Sequence, residues 1–310
     1  MISTTEEEGS SRPLISTDDP VSSASDLPED DPEGVVETDQ TLPLETSITE
    51  VHPPPTTTTN DDEQWRELIL SLQAKALAGA VLLALCSMLV VICWISLLGG
   101  LSWKHGEAKR VFNWHPLLMI TAFCFMTVGT LSFRIRLTTN RQSAKLLHGA
   151  SWAIAALSAW IALIAVLFSH NDSESGYIAN FYSLHSWIGT IVILMYVLQF
   201  VIGFYTFGWT LSSLRLTPRF KARVLTVHYF FGPFIYVSTA ITIVLGIQEK
   251  EGFIGCAYSV SNADLFPIQH FFEIPLPCRV SHLLGILVIV ITLLTTFAMH
   301  EFRRGSYYRQ

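Results

Sequence analysis

The chain between His115 and His228 contains four histidine motifs, and each stands at the start of an apolar segment. The motifs read Asn113-Trp114-His115-Pro116, Lys145-Leu146-Leu147-His148, Tyr182-Ser183-Leu184-His185-Ser186-Trp187 and Val227-His228-Tyr229. Each segment that follows has roughly 20 residues, about enough for a helix to cross a bilayer. Because consecutive spanning helices run in opposite directions, we expect His115 and His185 at one membrane face, and His148 and His228 at the other.

Two imidazoles at one level on different helices can hold a single metal cofactor between them. Haem iron takes axial imidazole ligands and its macrocycle needs an apolar slot. A single histidine at a helix end is more often an interfacial residue with its polar tip in water. Four such residues in four consecutive segments favour the cofactor instead. The pattern therefore predicts two stacked haems, one bound by His115 and His185 and the other by His148 and His228.

The formal net charge of −7 conceals two regions of opposite charge. Residues 1–64 contain 17 acidic residues, one basic residue (Arg12) and eight of the 14 prolines. Such a segment cannot bury enough apolar surface to become ordered. We predict that residues 1–65 form a disordered, acidic tail rich in Pro, Ser and Thr, and that residues 66–310 form one membrane domain. The tail begins without an apolar run, so a cleaved signal peptide is not expected.

Six segments of the second region are too long and too uniformly apolar for ordinary core helices. They cover about residues 76–101, 114–134, 148–168, 185–207, 226–247 and 280–300. A membrane-spanning barrel would show alternation of polar and apolar residues instead. The predicted fold is all-α, an integral membrane bundle of six transmembrane helices. Helices two to five form its central four-helix core, which holds the two haems.

Basic residues are concentrated in the loops at one face, which predicts the orientation of the bundle. The richer side comprises Arg134, Arg136, Arg141, Lys145, Arg215, Arg219, Lys221, Arg223, Arg303, Arg304 and Arg309. We therefore expect a multi-pass protein with both termini, and the haem of His148 and His228, on the cytosolic side.

The run Arg12-Pro13-Leu14-Ile15 resembles a dileucine-type sorting signal. It favours an endosomal, lysosomal or secretory-vesicle membrane, with the plasma membrane as the alternative.

Arg141 and Lys145 lie four residues apart just before His148, and they share one face if the third helix starts early. Two cations beside a cytosolic haem would attract a small anionic reductant. The alternative is that these charges serve only to set topology.

The sequence contains neither a Gly-rich nucleotide fingerprint nor a P-loop. The electron donor is therefore expected to be small and diffusible or another protein, and no nucleic-acid partner is expected.

Candidate residues at the opposite face flank the other histidine pair. His170 and Tyr182 are positioned to bind an electron acceptor such as a ferric chelate, the alternative for His170 being a solvated loop residue. The long loop from residue 248 to 279 contains Cys256 and Cys278. A lumenal or extracellular face is oxidising, so these two cysteines either form a disulfide or remain free thiols.

Four stretches resemble the cytochrome b561 family of ascorbate-dependent transmembrane oxidoreductases. They are Phe112-Asn113-Trp114-His115-Pro116-Leu117, Lys145-Leu146-Leu147-His148-Gly149, Asn180-Phe181-Tyr182-Ser183-Leu184-His185-Ser186-Trp187 and His228-Tyr229-Phe230-Phe231-Gly232. The similarity covers about residues 76–300. It implies six helices and two b-type haems, with one histidine ligand from each of the four central helices. It also implies electron transfer from cytosolic ascorbate to monodehydroascorbate or ferric iron on the far side, often by a homodimer.

The resemblance also implies roles for residues near each haem. Arg141, Lys145, Arg219 and Arg223 match the family's cytosolic ascorbate site, and His170 and Tyr182 match its non-cytosolic substrate site. This sequence departs from the family pattern in the longer loop between His170 and His185 and in its long, cysteine-bearing last loop. Both departures concern the acceptor side.

Two other functions remain as alternatives to this assignment. A haem ferric reductase fed by NADPH places two histidines on each of two helices, whereas four helices here supply one each. A cofactor-free transporter or receptor with six helices would need no histidine pairs. A visible absorption spectrum of the purified protein separates this last alternative from both haem proteins.

Overall fold

A computed structural model of the chain describes residues 60–135, 140–208, 215–256, 264 and 266–300. Several sequence-based predictions fall outside these residues. They concern the acidic tail up to residue 59, Arg136 and the C-terminal Arg303, Arg304 and Arg309. The first helix begins at Asn60, six residues before the predicted start of the membrane domain.

The described residues contain helices and no strands. In chain order these helices are α1 (Asn60–Leu97), α2 (Ala108–Phe112), α3 (Trp114–Leu131), α4 (Arg141–His170), α5 (Leu184–Phe207), α6 (Pro218–Ile254), α7 (Pro267–Glu273) and α8 (Leu276–Met299). Six segments are long and apolar enough to cross a membrane, with α2 and α3 counted as one. The prediction of an all-α bundle with six membrane-spanning helices is confirmed.

Helix caps explain why α4 and α6 begin earlier than the apolar segments. Asn140 caps α4 by accepting a hydrogen bond from the backbone N–H of Ser143 at 2.7 Å. Thr217 caps α6 in the same way and is followed by proline at the first helical position. His148 therefore lies about two turns inside α4, and His228 about three turns inside α6. The expectation that all four histidines stand at helix starts was wrong for these two.

The first helix ends at Leu97 rather than near residue 101 as predicted. Gly99 and Gly100 follow it with φ angles of 92° and 78°, in a region that favours glycine. The backbone N–H of Gly100 bonds back to the carbonyl of Ile95 at 2.9 Å. Hydropathy alone did not reveal this stop, because the residues beyond the helix remain apolar.

The packing of the helices places the histidine motifs on two hairpins, α3–α4 and α5–α6. Helix α1 packs against α3 and α8, and α8 packs against α6. The buried core between them includes the large side chains Trp94, Phe123, Tyr236 and Leu284. The first and last spanning helices thus support α3 and α6 without contributing any of the four histidine motifs.

The buried carboxylate of Asp172 joins the loop before α2 to the loop after α4. Asp172 accepts hydrogen bonds from the hydroxyl of Ser175 at 2.8 Å and from the backbone N–H of Gly106 at 2.9 Å. The backbone N–H of Glu174 contributes a third bond at 3.2 Å. These bonds, led by that of Ser175, hold the pKa of Asp172 below its ordinary value. The loop before α2 and the loop after α4 are therefore fixed to each other.

Replacing Asp172 with alanine is expected to lower the melting temperature of the purified protein at neutral pH. A carboxyl group whose pKa is lowered by folding stabilises the fold above its unfolded pKa, and this contribution is lost as the pH falls through the folded pKa. The difference between Asp172→Ala and the unsubstituted protein should therefore shrink in acid. Thermal unfolding in detergent at several pH values measures it, with Glu174→Gln as the control. Equal melting temperatures at neutral pH would contradict this role.

Candidate functional site

The four motif histidines lie as two pairs of neighbouring imidazoles. The imidazole centroids of His115 on α3 and His185 on α5 lie 6.1 Å apart, with the rings at 87° to each other. The centroids of His148 on α4 and His228 on α6 are also 6.1 Å apart, at 65°. We call these the first and second histidine pairs. The two hairpins thus contribute one residue each to both pairs.

The spacing within each pair matches the requirement of a single metal ion bound by two imidazoles. Metal–imidazole bonds of roughly 2 Å on either side separate the ring centroids by about 6 Å. Among the described residues there is no cluster of three or more His, Cys, Asp and Glu side chains arranged to hold a metal. Two imidazoles are the donor set that haem iron takes from a protein, and the residues present fit haem.

Backbone carbonyls orient three of the four imidazoles. The Nδ1 atom of His148 lies 2.8 Å from the carbonyl oxygen of Gly129, and that of His185 lies 2.9 Å from the carbonyl of Thr242. His115 makes the equivalent contact with Ala162 at 3.3 Å. Because a carbonyl only accepts hydrogen bonds, Nδ1 must carry the proton in each case. The Nε2 lone pair is then free for a metal, and its basicity is increased.

His228 differs from the other three because its Nδ1 atom is buried without a hydrogen-bond partner among the described residues. Its ring packs near Phe207 on α5, with the ring centroids 6.0 Å apart. The side-chain amide of Gln199 on α5 donates a 2.9 Å hydrogen bond to the backbone carbonyl of His228. Packing and the backbone contact, rather than a bond to Nδ1, hold this residue in place.

Glycines on the partner helix provide space for the imidazoles. A Cβ atom added to Gly246 on α6 would lie 2.6 Å from Cε1 of His185. The corresponding Cβ on Gly203 of α5 would lie 3.3 Å from Cε1 of His228. Each helix of this hairpin thus carries one histidine and the glycine that accommodates the other helix's histidine.

Basic residues converge near the second histidine pair. Lys145 on α4 is partly buried, and its neighbours include the cations Lys221 on α6 and Arg141 on its own helix. Because α4 starts early, Arg141 and Lys145 share one face of the helix, and His148 lies on the same face. Three cations held close together repel one another, and an anion bound among them relieves that repulsion.

The remaining predicted donor residues, Arg219 and Arg223, are exposed on α6. Sequence reasoning missed Lys221, which lies seven residues before His228. Seven residues correspond to about two helical turns, so Lys221 and His228 share a face of α6. Arg219 and Arg223, nine and five residues before His228, do not. The spacing of Lys221 and His228 along a helix was the signal in the sequence that could have identified Lys221 as a candidate donor-site residue.

Aromatic packing connects His170 with the first histidine pair. The ring of Phe112 is stacked on His170, with centroids 6.2 Å apart and an angle of 4° between the rings. The same phenyl ring lies 5.6 Å from His115. His170 is buried, and its Nδ1 atom lies 3.1 Å from the side-chain oxygen of Asn180. His170 is therefore near the first pair but is not a solvated loop residue.

Tyr182 lies at the same end of the bundle and is partly exposed. Its hydroxyl donates a hydrogen bond to the carboxylate of Glu249 on α6. Burial and this neighbouring carboxylate raise the pKa of Tyr182 above its ordinary value, so the hydroxyl stays protonated. The contact ties the loop before α5 to the last turns of α6.

Cys256 and Cys278 form a disulfide in the structure. It connects the residue just past the C-terminal end of α6 with the first turn of α8. Nearby, the buried carboxylate of Glu251 accepts a hydrogen bond from Ser281 and lies 3.4 Å from Nε2 of His282. The C-terminal end of α6 and the N-terminal end of α8 are thus joined.

Comparison with known proteins gives a consistent family assignment. Residues 114–254 match the family model for eukaryotic cytochrome b561. The chain is 33% identical over 184 residues to the rat plasma membrane ascorbate-dependent reductase CYBRD1, a match covering 57% of this chain and 60% of the rat protein. It is 34% identical over 174 residues to a probable ascorbate-specific transmembrane electron transporter 2 of rice, covering 56% and 71%. The chain belongs to the cytochrome b561 family.

A third relative, the mouse transmembrane ascorbate-dependent reductase CYB561, is 34% identical over 181 residues, which cover 57% of this chain and 68% of the mouse protein. The chain spans less than two thirds of the length of the rat reductase. The region matched by the family model begins at Trp114, one residue before the first motif histidine, and ends with α6. It therefore includes all four motif histidines.

Proposed function

We propose that this protein transfers electrons across a membrane from cytosolic ascorbate, through two b-type haems, to an acceptor on the other side. The observation that supports this most strongly is the presence of two histidine pairs, each with a centroid separation of 6.1 Å. Haem b bound at each pair supplies reversible one-electron chemistry at iron. The membrane-spanning bundle and the ascorbate-dependent relatives support the same function.

His115 and His185 would hold one haem, and His148 and His228 would hold the other. The carbonyls of Gly129, Ala162 and Thr242 fix the protonation of three rings before any metal binds. Fixing ligand orientation in advance lowers the cost of binding and limits rearrangement when the iron changes charge.

The donor site is proposed near the second pair, at the face predicted to be cytosolic. Ascorbate is an anion at neutral pH, and the cations of Arg141, Lys145 and Lys221 would bind and orient it. Arg219 and Arg223, which the family resemblance also implied, would raise the local concentration of the anion from their exposed positions. The basic loops would thus both bind the donor and set the cytosolic orientation of the termini.

Neutralising the donor site is expected to weaken ascorbate binding without loss of haem. Lys145→Gln and Lys221→Gln should each raise the ascorbate concentration for half-maximal haem reduction about tenfold or more, since a charge-assisted contact contributes roughly 1.5–3 kcal/mol. Arg219→Gln and Arg223→Gln should have smaller effects that high salt removes, because these residues are exposed. Reduction by dithionite provides the control for intact haems. If the double variant Lys145→Gln/Lys221→Gln showed an unchanged dependence on ascorbate concentration, the basic residues would only set the orientation of the protein in the membrane.

The acceptor is proposed to be monodehydroascorbate or a ferric chelate, near His170 and Tyr182. His170 is linked to the first pair by the Phe112 ring, and Tyr182 lies at the same end of the bundle with its hydroxyl bonded to Glu249. We also propose that the protein forms a homodimer. Its proposed location is an endosomal, lysosomal or secretory-vesicle membrane, with the plasma membrane as the alternative.

Electron transfer across a sealed bilayer tests the function directly. Purified protein would be reconstituted into vesicles that contain trapped ferricyanide, and ascorbate would be added outside. We expect ferricyanide to be reduced at a rate that depends on the protein and saturates with ascorbate. Vesicles with His148→Ala protein provide the control. A rate equal to that of protein-free vesicles would exclude the proposed function and favour the cofactor-free transporter or receptor.

A further inference from the structure

Lys250, near the C-terminal end of α6, carries a charge for which the proposed roles above do not account. Its side chain is partly buried, and its ammonium group lies 4.4 Å from the centroid of the Phe112 ring. That ring is 5.6 Å from His115 and stacks on His170. Lys250 therefore lies close to the first histidine pair, because the ring that its ammonium group contacts is also a neighbour of His115.

The carboxylates closest in sequence to Lys250 have other partners. Glu249 accepts the hydrogen bond of Tyr182, and Glu251 binds Ser281 and His282. Among the residues that the structure describes, no carboxylate lies within ion-pair distance of Lys250. The charged group that acts on it most is another cation, Lys109 on α2. Two positive charges thus approach each other at this end of the bundle.

This arrangement is unfavourable unless an anion completes it. An ammonium group removed from water needs a partner of opposite charge, and a second ammonium nearby increases that need. The face of Phe112 offers a weaker attraction that directs the charge without neutralising it. A carboxylate bound by Lys250 would also be attracted by the charge of Lys109.

We propose that Lys250 binds a carboxylate at the first histidine pair. This inference rests on the proposed function, because the carboxylate comes either from a propionate of the haem at that pair or from an anionic chelate of the iron acceptor. Both sources present the same group to the ammonium. In the first case Lys250 sets the reduction potential of one haem, and in the second it selects acceptors that carry a carboxylate.

The test compares Lys250→Met, which removes the charge from a side chain of similar length, with Lys250→Arg, which keeps it. Lys104→Met is the control, because Lys104 is exposed in the loop before α2. The first measurement is a redox titration of the haem absorbance that gives the potential of each haem. The second is the half-saturating concentration of ferric citrate, with the cationic complex hexaammineruthenium(III) as an acceptor that has no carboxylate.

Binding of a propionate predicts that Lys250→Met shifts the reduction equilibrium of the haem at the first pair about tenfold toward the oxidised form. This shift corresponds to a fall in potential of roughly 59 mV for a one-electron couple. Lys250→Arg and Lys104→Met should leave that potential near its original value. The preference between the two acceptors should not change.

Binding of an acceptor carboxylate predicts instead that Lys250→Met raises the half-saturating concentration of ferric citrate about tenfold, as expected for one charge-assisted contact. The value for hexaammineruthenium(III) and both haem potentials should then stay constant. If Lys250→Met loses the haem of the first pair while Lys250→Arg retains it, the charge is required and the proposal stands.

Two outcomes would overturn the inference. One is a haem-loaded Lys250→Met protein with unchanged potentials and unchanged acceptor preference. The other is loss of the same haem in both Lys250→Met and Lys250→Arg, which would make the role of this side chain steric. Absence of haem from the unsubstituted protein would instead reject the proposed function itself, so the two failures are distinguishable.

Discussion

Alanine substitution of His115 or His185 is expected to remove one haem, and substitution of His148 or His228 to remove the other. Within each pair, two imidazoles on different helices approach to a centroid distance of 6.1 Å. If either ring is lost, a single imidazole of the pair would remain to hold a haem. We therefore expect the haem content per chain to fall by about half in each single variant, since haem ligation requires both axial positions.

Pairing gives this prediction its specificity. His115→Ala and His185→Ala should lose the same spectral component, and the double variant should lose no more than either single variant. His148→Ala and His228→Ala should behave in the same way for the other component. His105→Ala is the matched control, because the His105 side chain is 73% exposed in the loop before α2. Loss of the same component from His115→Ala and His148→Ala would contradict the pairing.

The second large effect is expected from a single methyl group. In Gly246→Ala the added Cβ would lie 2.6 Å from Cε1 of His185 and 3.0 Å from its Nδ1, too close for carbon and nitrogen atoms. His185 must then move, which breaks its 2.9 Å hydrogen bond to Thr242 and displaces the ring from His115. We expect selective loss or marked perturbation of the haem at the first pair, without loss of the haem at the second.

Another glycine of the same helix provides the control for this substitution. Gly252 also lies on α6, and a Cβ atom added there would meet nothing within 4 Å. Gly252→Ala should therefore leave both haem spectra unchanged, as should Gly149→Ala beside His148 on α4, where the space is also open. If Gly246→Ala bound both haems with unaltered spectra, the position assigned to the His185 ring would be wrong.

The sequence predicted the elements of the site that depend on helix direction and length. Long apolar segments in lipid must be helical, and consecutive helices must alternate in direction. The membrane face nearer to each histidine could therefore be predicted, although its depth within the helix could not. The pairing of His115 with His185 and of His148 with His228 required no further information. The side of the bundle rich in basic residues was also visible, because those residues lie close to the ends of the apolar segments.

Features that depend on contacts between helices were not predictable in the same way. The carbonyls of Gly129, Ala162 and Thr242 carry no sequence signal, because every residue has a carbonyl group. Gly246 is one of several glycines in the spans, and only its position opposite His185 distinguishes it. Lys250 lies far from the histidine motifs in sequence and meets Phe112 only when α6 packs beside α2 and α3.

Three helix-capping residues in the sequence mark where helices begin, but the predicted bounds followed the apolar segments instead. Asn140, Ser183 and Thr217 are residue types that cap helices, and each accepts a hydrogen bond from the backbone N–H three residues later. Reading Thr217 followed by Pro218 as a helix start would have placed Lys221 on the same face as His228. Helix ends marked by polar residues lie beyond the apolar segment, so hydropathy underestimates the length of these helices.

The absorption spectrum of the purified protein, recorded before and after addition of ascorbate, tests the central claim most directly. The two histidine pairs predict a bis-imidazole haem b spectrum with two haems per chain. They also predict that ascorbate reduces the haems in the native protein but much less completely in Lys145→Gln with Lys221→Gln. A purified, folded protein without haem absorbance, or one whose haem is reduced by dithionite but not by ascorbate, would contradict the account.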